Sequence, residues 1–192
     1  MNYRTILVTT AGLAVVSLFA WTSASAKGGA GGDASHIKRG EYLVKTSGCN
    51  DCHTPLKMGP GGPEPDWSRL LSGHPADLAL PAAPKLPPGP WMATVSATMT
   101  AWSGPWGTSY TVNLTPDKET GLGQWTERNF IDSIRTGRHM GRGRPILPPM
   151  PWQAYKNFTD GDLKAMFAYL QSIPPIANRV PNPVMAAPPA AQ

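Results

Sequence analysis

The segment Cys49-Asn50-Asp51-Cys52-His53 constrains this chain more than any other part of its sequence. Two thiols separated by two residues can form thioether bonds to the two vinyl groups of one porphyrin, and the adjacent imidazole can then bind the iron. A zinc site would need two further Cys or His ligands at suitable spacing, but the other histidines are scattered at His36, His74 and His139. A thioredoxin-like pair would need a βαβ context, which the sequence does not show. The segment therefore predicts a covalently bound haem c, with its histidine as an axial iron ligand.

The cysteine usage and the N-terminus together predict an exported protein. Cys49 and Cys52 are the only cysteines, so a structural disulfide would consume the residues that attach the haem. Residues 1–4 carry one positive charge, residues 6–20 are apolar, and Ala24-Ser25-Ala26 fits a small-x-small cleavage site. We therefore expect a signal peptide over residues 1–26 and a periplasmic location. Because a membrane span needs about 20 apolar residues, an uncleaved membrane anchor is the less favoured alternative.

The remaining chain is long enough for one domain with one hydrophobic core. It contains no internal repeat and no second Cys-x-x-Cys-His segment, which predicts a single haem. We expect a flexible leader over residues 27–34 and a domain over residues 35–174, with an insertion at about 59–109. Residues 175–192 are rich in proline and are expected to form an extended tail.

The charge balance restricts the classes of partner. A formal net charge of +5 favours acidic redox proteins or anionic surfaces as partners. The sequence has no recognised nucleic-acid motif and no concentrated basic stripe, so we expect no nucleic-acid partner. A membrane would be a partner only if the N-terminal segment stays uncleaved.

Apolar periodicity and capping residues predict three helices, over residues 35–45, 126–136 and 160–172. Thr126 and Thr159 are suitable N-caps for the second and third of these helices. Strand signals are weak, and the 20 Gly and 22 Pro predict many turns and little regular sheet. These patterns predict an all-α fold.

The order of helix, haem motif, middle helix, Met-bearing loop and final helix resembles class I cytochromes c. Residues 39–43 look like the first helix of that family, and residues 162–170 look like its last helix. The resemblance implies a class I cytochrome c fold, with three to five helices around one covalently bound haem. It also implies that Gly40 of the first helix packs against Tyr169 of the last.

Two further stretches resemble haem modules in the cytochrome c subunits of membrane-bound alcohol and gluconate-type dehydrogenases. They are residues 113–125, NLTPDKETGLGQW, and residues 147–152, LPPMPW. Those subunits usually carry three such modules, whereas this chain has one. The resemblance implies redox protein partners, namely a periplasmic dehydrogenase and a terminal oxidase or another cytochrome.

Met150 is the predicted second axial ligand of the iron. The flanking prolines hold its backbone extended, which suits a stiff loop that presents a thioether sulfur. The resemblance also places the ligand a short loop before the last helix. One alternative is that Met150 only fills a gap in the core, and another is that His139 binds the iron instead.

The resemblance implies supporting residues around the haem as well. Metal-bound imidazoles usually donate their second N–H to a carbonyl or carboxylate, and residues 59–63 are the expected source of a carbonyl for His53. Asn113, Thr115 and Trp125 are candidates for hydrogen bonding at the haem edge or the propionates. Their alternative roles are those of turn and helix-entry residues.

The insertion at about 59–109 departs from a minimal cytochrome c, and it is rich in Pro, Gly and Trp. Long loops without secondary structure are uncommon in compact domains and are often functional. We favour a loop folded over the haem, in which aromatic rings bury apolar surface. The alternative is a docking surface for a dehydrogenase, because Trp is enriched at interface hot spots. The tryptophans concerned are Trp67, Trp91, Trp102 and Trp106.

Several arginines precede Met150 in the sequence. A solvated loop is the ordinary interpretation of such a cluster. The alternative hypothesis is that some of these guanidiniums neutralise haem propionates or steer an acidic partner towards the haem edge. The residues are Arg135, Arg138, Arg142 and Arg144.

These patterns predict a periplasmic single-haem electron-transfer protein rather than an enzyme. The iron would cycle between Fe(II) and Fe(III) and pass one electron at a time from a dehydrogenase to an acceptor such as a terminal oxidase. A peroxidase-like haem enzyme or a gas-binding sensor module is the alternative. Both would need five-coordinate iron, so Met150 would have to be unbound.

Overall fold

The computed structural model describes the backbone of residues 30–186 and the side chains of residues 34–186. The predicted signal peptide, residues 1–26, lies outside the described residues. None of the helices in the described part of the chain combines the length and the hydropathy of a membrane span. The helices are α1 (Ala30–Thr46), α2 (Cys49–His53), α3 (Glu127–Thr136), α4 (Trp152–Tyr155) and α5 (Asp160–Ser172). The strands are β1 (Leu56–Gly59), β2 (Gly62–Pro65), β3 (Thr94–Val95), β4 (Ala101–Gly104), β5 (Gly107–Tyr110) and β6 (Val184–Met185).

The fold is mixed α and β, so the prediction of an all-α fold is wrong. Strands β1 and β2 form an antiparallel hairpin, and β3, β4, β5 and β6 form an antiparallel sheet in that order. The β1–β2 and β4–β5 hairpins both turn between paired glycines, since Gly59 pairs with Gly62 and Gly104 pairs with Gly107. Strands of two to four residues are too short to show the alternating pattern that identifies a strand in sequence. The predicted insertion therefore contains most of the sheet structure.

Helices α3 and α5 begin directly after the predicted N-cap residues, Thr126 and Thr159. The side chain of Thr126 accepts a hydrogen bond from the Asn129 N–H at the start of α3, and Thr159 does the same for Asp162 at the start of α5. Both bonds satisfy backbone N–H groups that have no partner inside the helix. Helix α1 begins at Ala30, inside the segment predicted to be a flexible leader.

Helices α1 and α5 cross at a glycine. A Cβ on Gly40 would overlap the carbonyl oxygen of Ala165 and would lie 2.9 Å from the Cβ of Tyr169. The predicted contact between Gly40 and Tyr169 is thus confirmed, and only glycine allows the two backbones to approach so closely. The crossing buries an apolar core that continues into α3 and comprises Leu43, Val44, Ile131, Ile134, Leu163, Met166 and Leu170.

The chain after α5 runs back over the domain instead of leaving it. The Ile176 N–H donates to the hydroxyl of Thr115, at an N–O distance of 3.0 Å. Asn178 is buried, and β6 then pairs with β5. The described part of the predicted tail, residues 175–186, contains the short strand β6 and is packed against the loops that precede α3.

Candidate haem-binding site

A cavity of about 690 Å³ brings the predicted ligand side chains together. Cys49, Cys52, His53 and Met150 all line it. Its volume is within the range of cofactor sites in proteins. Much of its wall is apolar and comes from α3, α5 and the loops around them, through Leu114, Leu122, Phe130, Ile134, Leu147, Met166 and Leu170.

The attachment motif is folded into the short helix α2. Helical spacing places Cys52 and His53 three and four residues after Cys49, on one face. Gly48 precedes the helix with a φ of 72°, a left-handed conformation that glycine adopts without steric cost. The hydroxyl of Tyr155 in α4 donates a hydrogen bond to the carbonyl of Ser47, and so ties the start of the motif to the loop that follows Met150.

Cys49 and Cys52 are not joined in a disulfide. Burial raises the pKa of Cys49 to about 12 and also raises the pKa of Cys52, so both sulfurs are protonated at neutral pH. Because a thiolate is the form that forms disulfides and binds zinc, this environment disfavours both reactions. The two thiols lie on one helical face, a spacing that suits addition to the two vinyl groups of one porphyrin.

His53 is held by a backbone carbonyl. Its side chain is only 7% exposed, and Nδ1 lies 2.8 Å from the carbonyl oxygen of Val112. Burial lowers the pKa of His53, while the hydrogen bond to Val112 opposes that shift. A neutral ring that donates from Nδ1 keeps the Nε2 lone pair free for a metal.

The prediction that residues 59–63 would supply this carbonyl is wrong. Those residues form the turn of the β1–β2 hairpin, whereas Val112 follows β5. The loop that precedes the sheet fixes the Val112 backbone on both sides, because the His74 N–H donates to Thr111 and the Leu114 N–H donates to Leu71, each at 2.9 Å. A backbone carbonyl far along the chain leaves no mark in the sequence, so sequence analysis had no signal for Val112.

Gly73 allows this loop to lie against Val112. Its φ of 78° is left-handed, and a Cβ there would lie 2.6 Å from the Val112 carbonyl carbon. The Gly73 N–H donates to the His53 carbonyl at 2.8 Å. One loop therefore contacts both the histidine and the residue that orients it.

The three residues predicted at the haem edge have different surroundings. The Asn113 amide nitrogen donates to the Ile176 carbonyl at 2.8 Å, and its oxygen accepts from the Thr115 N–H at 2.9 Å. Asn113 lines the cavity with its amide already engaged, and Thr115 is buried behind it without reaching the cavity lining. Trp125 does line the cavity, where its ring meets the ring of His139 edge-on at 5.1 Å. These contacts favour structural roles for Asn113 and Thr115.

Two arginine side chains line the cavity. Arg144 lines it from the loop before Met150, and Arg179 lines it from the chain after α5. Sequence analysis missed Arg179, because the pattern of the Pro-rich tail gave no reason to expect it near the motif. Arg135 points elsewhere and pairs with Asp160 at 2.5 Å. His139 also lines the cavity, and burial lowers its pKa.

Comparison with known proteins supports the resemblance found in the sequence. The chain is 31% identical to the gluconate 2-dehydrogenase cytochrome c subunit of Pantoea cypripedii over 142 residues, which cover 73% of this chain and 24% of that protein. It is 29% identical to the cytochrome c subunit of the quinone alcohol dehydrogenase of Gluconobacter oxydans, over 78% of this chain and 24% of the relative. The chain is similar to dehydrogenase cytochrome c subunits. The predicted resemblance to these subunits is confirmed.

A third relative matches a similar share of this chain. The fructose dehydrogenase cytochrome subunit of Gluconobacter japonicus is 29% identical over 136 residues, which cover 71% of this chain and 21% of that protein. No protein-family model matches the chain. The chain spans about a quarter or less of the length of these three relatives.

The cavity fits the haem that the motif and the similarity imply. Two free thiols and a histidine with an available Nε2 lie on one helix, and a thioether side chain lies in the lining of the same cavity. The apolar lining suits a porphyrin face, and the guanidiniums of Arg144 and Arg179 suit its propionates.

Proposed function

We propose that this chain binds one haem c covalently through Cys49 and Cys52 and carries one electron at a time between a dehydrogenase and a downstream acceptor such as a terminal oxidase. His53 and Met150 are the proposed axial ligands. The observation that carries the proposal is the cavity that all four side chains line, with His53 oriented by the Val112 carbonyl.

Haem, when bound, supplies an iron that is reduced to Fe(II) and oxidised to Fe(III) by single electrons. The residues of the chain set how readily this happens. A Met ligand raises the reduction potential relative to a His ligand, and an apolar lining disfavours the extra positive charge of Fe(III). The Val112 carbonyl fixes the ring of His53, which would keep its Nε2 available to a bound iron.

The proposed setting is the periplasm, with residues 1–26 as the signal peptide. The similarity to dehydrogenase cytochrome c subunits supports a dehydrogenase as the electron donor. The chain itself transforms no substrate in this proposal. Cell fractionation and N-terminal sequencing test the setting, since a mature protein that begins at Lys27 in the periplasmic fraction is expected. Retention of residues 1–26 in a membrane fraction would indicate an anchor.

The ligand assignment is tested by the weak Met-to-iron charge-transfer absorption of the oxidised protein. We expect Met150→Ala to abolish this band. His139 lines the same cavity and provides the matched control, so His139→Ala should keep the band. A high-spin spectrum in the unsubstituted protein would instead favour five-coordinate iron and the enzyme or sensor alternative.

Haem attachment is tested separately. We expect one haem per chain, resistant to extraction with acidified organic solvent. Cys49→Ala and Cys52→Ala should each leave the haem attached by one thioether bond, and the double variant should release it on extraction. A haem-to-protein ratio other than one would contradict the single-haem assignment.

A further inference from the structure

Strand β5 holds the loop that carries Met150. Ser109 in β5 is only 8% exposed, and its hydroxyl donates to the carbonyl oxygen of Pro148 at 2.6 Å. Its other acceptor, the Trp102 carbonyl within the sheet, is 3.4 Å away. Because a hydroxyl has one hydrogen, the short bond to Pro148 is the one that Ser109 makes.

The loop is also held at its two ends, where the Ile146 N–H donates to the Gly137 carbonyl at 2.8 Å and the Pro151 carbonyl accepts from N–H groups of α4, but its middle has few hydrogen bonds. Proline has no N–H, and Pro148, Pro149 and Pro151 therefore leave Met150 as the N–H donor in the middle of the loop. The Met150 N–H donates to the Leu147 carbonyl at 3.3 Å, a long distance for such a bond. The bond from Ser109 is shorter and comes from a different part of the fold, so it restrains the loop relative to the cavity.

The same segment also reaches the other proposed ligand, His53. Val112, three residues after Ser109, accepts the hydrogen bond from His53 Nδ1. Residues 109–112 all line the cavity. One short segment therefore holds His53 through the carbonyl of Val112 and holds the Met150 loop through the hydroxyl of Ser109.

We propose that Ser109 is a positioning residue that keeps the Met150 sulfur on the iron. This inference rests on the proposed function, because it requires Met150 to be a ligand. Loss of the hydroxyl frees the Pro148 carbonyl, and the loop then moves away from the cavity more often. The consequence is faster exchange of Met150 for a competing ligand, without loss of haem.

The experiment measures the rate at which potassium cyanide binds to the oxidised holoprotein under conditions where Met150 release limits that rate. Loss of one hydrogen bond predicts a roughly 2- to 10-fold faster reaction for Ser109→Ala. Ser103 lies in the neighbouring strand β4, where its hydroxyl accepts from Thr108 at 3.2 Å. Ser103→Ala is the matched control and should react at the unsubstituted rate.

A second pair of variants separates the hydroxyl from the change in shape. Thr and Val have the same shape, and Ser109→Thr keeps the hydroxyl that Ser109→Val lacks. The Thr variant should bind cyanide more slowly than the Val variant, and its charge-transfer band should lie closer to that of the unsubstituted protein. This comparison also applies if the alanine variant does not fold.

The outcomes distinguish the inference from the proposed function. If Met150→Ala accelerates cyanide binding but Ser109→Ala does not, Ser109 has no positioning role and Met150 remains the ligand. If Ser103→Ala accelerates the reaction as much as Ser109→Ala, the effect is a general loosening of the sheet and the inference is wrong. If Met150→Ala changes neither the band nor the rate, the proposed ligand assignment itself fails.

Discussion

The side-chain amide of Asn178 donates a 2.7 Å hydrogen bond to the carbonyl oxygen of Ser72. The same nitrogen donates to the His74 carbonyl at 2.9 Å, and the amide oxygen accepts from the Ala76 N–H at 2.8 Å. Asn178 is 8% exposed, so these bonds form in a buried environment. They join the chain after α5 to the loop that contacts His53 and Val112.

We expect Asn178→Ala to lower the free energy of unfolding by about 2–4 kcal/mol, because it removes three hydrogen bonds and leaves buried carbonyls unpaired. Asn157 provides a control, since its exposed amide donates to two carbonyls at the end of α4. Asn157→Ala should change stability by about 0.5 kcal/mol or less. Denaturant titration measures both, and equal losses would contradict the central role of Asn178.

The helix crossing predicts a large effect for a single added methyl group. Gly40→Ala forces a Cβ into the Ala165 carbonyl and should destabilise the protein by about 1–3 kcal/mol. Gly61 has open space around the position of a Cβ, so Gly61→Ala should cost no stability. Thermal unfolding of the two variants tests this difference. A Gly40→Ala protein as stable as the Gly61→Ala protein would show that α1 and α5 can separate at no cost.

His74 predicts a pH dependence of stability. It is fully buried between Thr100 and the Leu78 carbonyl, and burial lowers its pKa below the usual value of 6.5. The unfolded chain therefore binds a proton at His74 more readily than the folded chain. The stability contribution of the neutral ring is complete above about pH 6.5 and is lost as the pH falls.

The measurement is denaturant titration between pH 7 and pH 5. The decline attributable to His74 cannot exceed about 1.4 kcal/mol per pH unit, and His74→Asn should make the curve less steep. Carboxylates with a lowered pKa, such as Asp162 beside Arg39, contribute only at lower pH. An unchanged slope in His74→Asn would show that His74 does not contribute in this range.

The loop before Met150 predicts a dependence of reaction rates on charge. Arg39, Arg69, Arg128 and Arg135 are paired with carboxylates. Within residues 34–186, no carboxylate pairs with the guanidiniums of Arg138, Arg142 and Arg144 in a salt bridge. Arg144 lines the cavity, and the Arg138 guanidinium donates to the Gly143 carbonyl of the same loop, so this loop brings positive charge to the cavity.

Replacing these three arginines by glutamine should slow oxidation of the reduced holoprotein by ferricyanide, by roughly tenfold at low ionic strength. It should speed the reaction with a cationic ruthenium hexaammine couple. Lys38, Lys85 and Lys164 are the matched control, because replacing them by glutamine removes the same net charge at positions outside this loop and outside the cavity lining. Equal effects of the two triple variants would mean that only total charge matters and that the loop does not steer partners.

The parts of the fold that could be predicted from the sequence are those with local causes. The motif at Cys49–His53 and the helix caps at Thr126 and Thr159 are each formed by residues that are close together in the sequence. The structure places each of them in or at the start of a helix. The Gly40 contact was implied by the family resemblance. Met150 was predicted from its flanking prolines together with that resemblance, and it lines the cavity that the motif also lines.

The parts that were missed depend on contacts between distant segments. Val112 acts through its backbone, which any residue could supply, and it is 59 positions away from His53. Arg179 reaches the cavity from a segment that the buried hydrogen bonds of Asn178 hold in place. The sheet was missed because its strands are very short, and pairing partners such as β5 and β6 are far apart in the sequence.

The cavity wall has a consequence for the order of assembly. The residues at 179–183 complete one side of the cavity, and they are among the last described residues of the chain. A chain that emerges with its N-terminus first presents Cys49–His53 long before this wall has been made. In the exported protein that we propose, the attachment motif is therefore accessible before residues 179–183 close this side of the cavity, and a bound haem would be enclosed only afterwards.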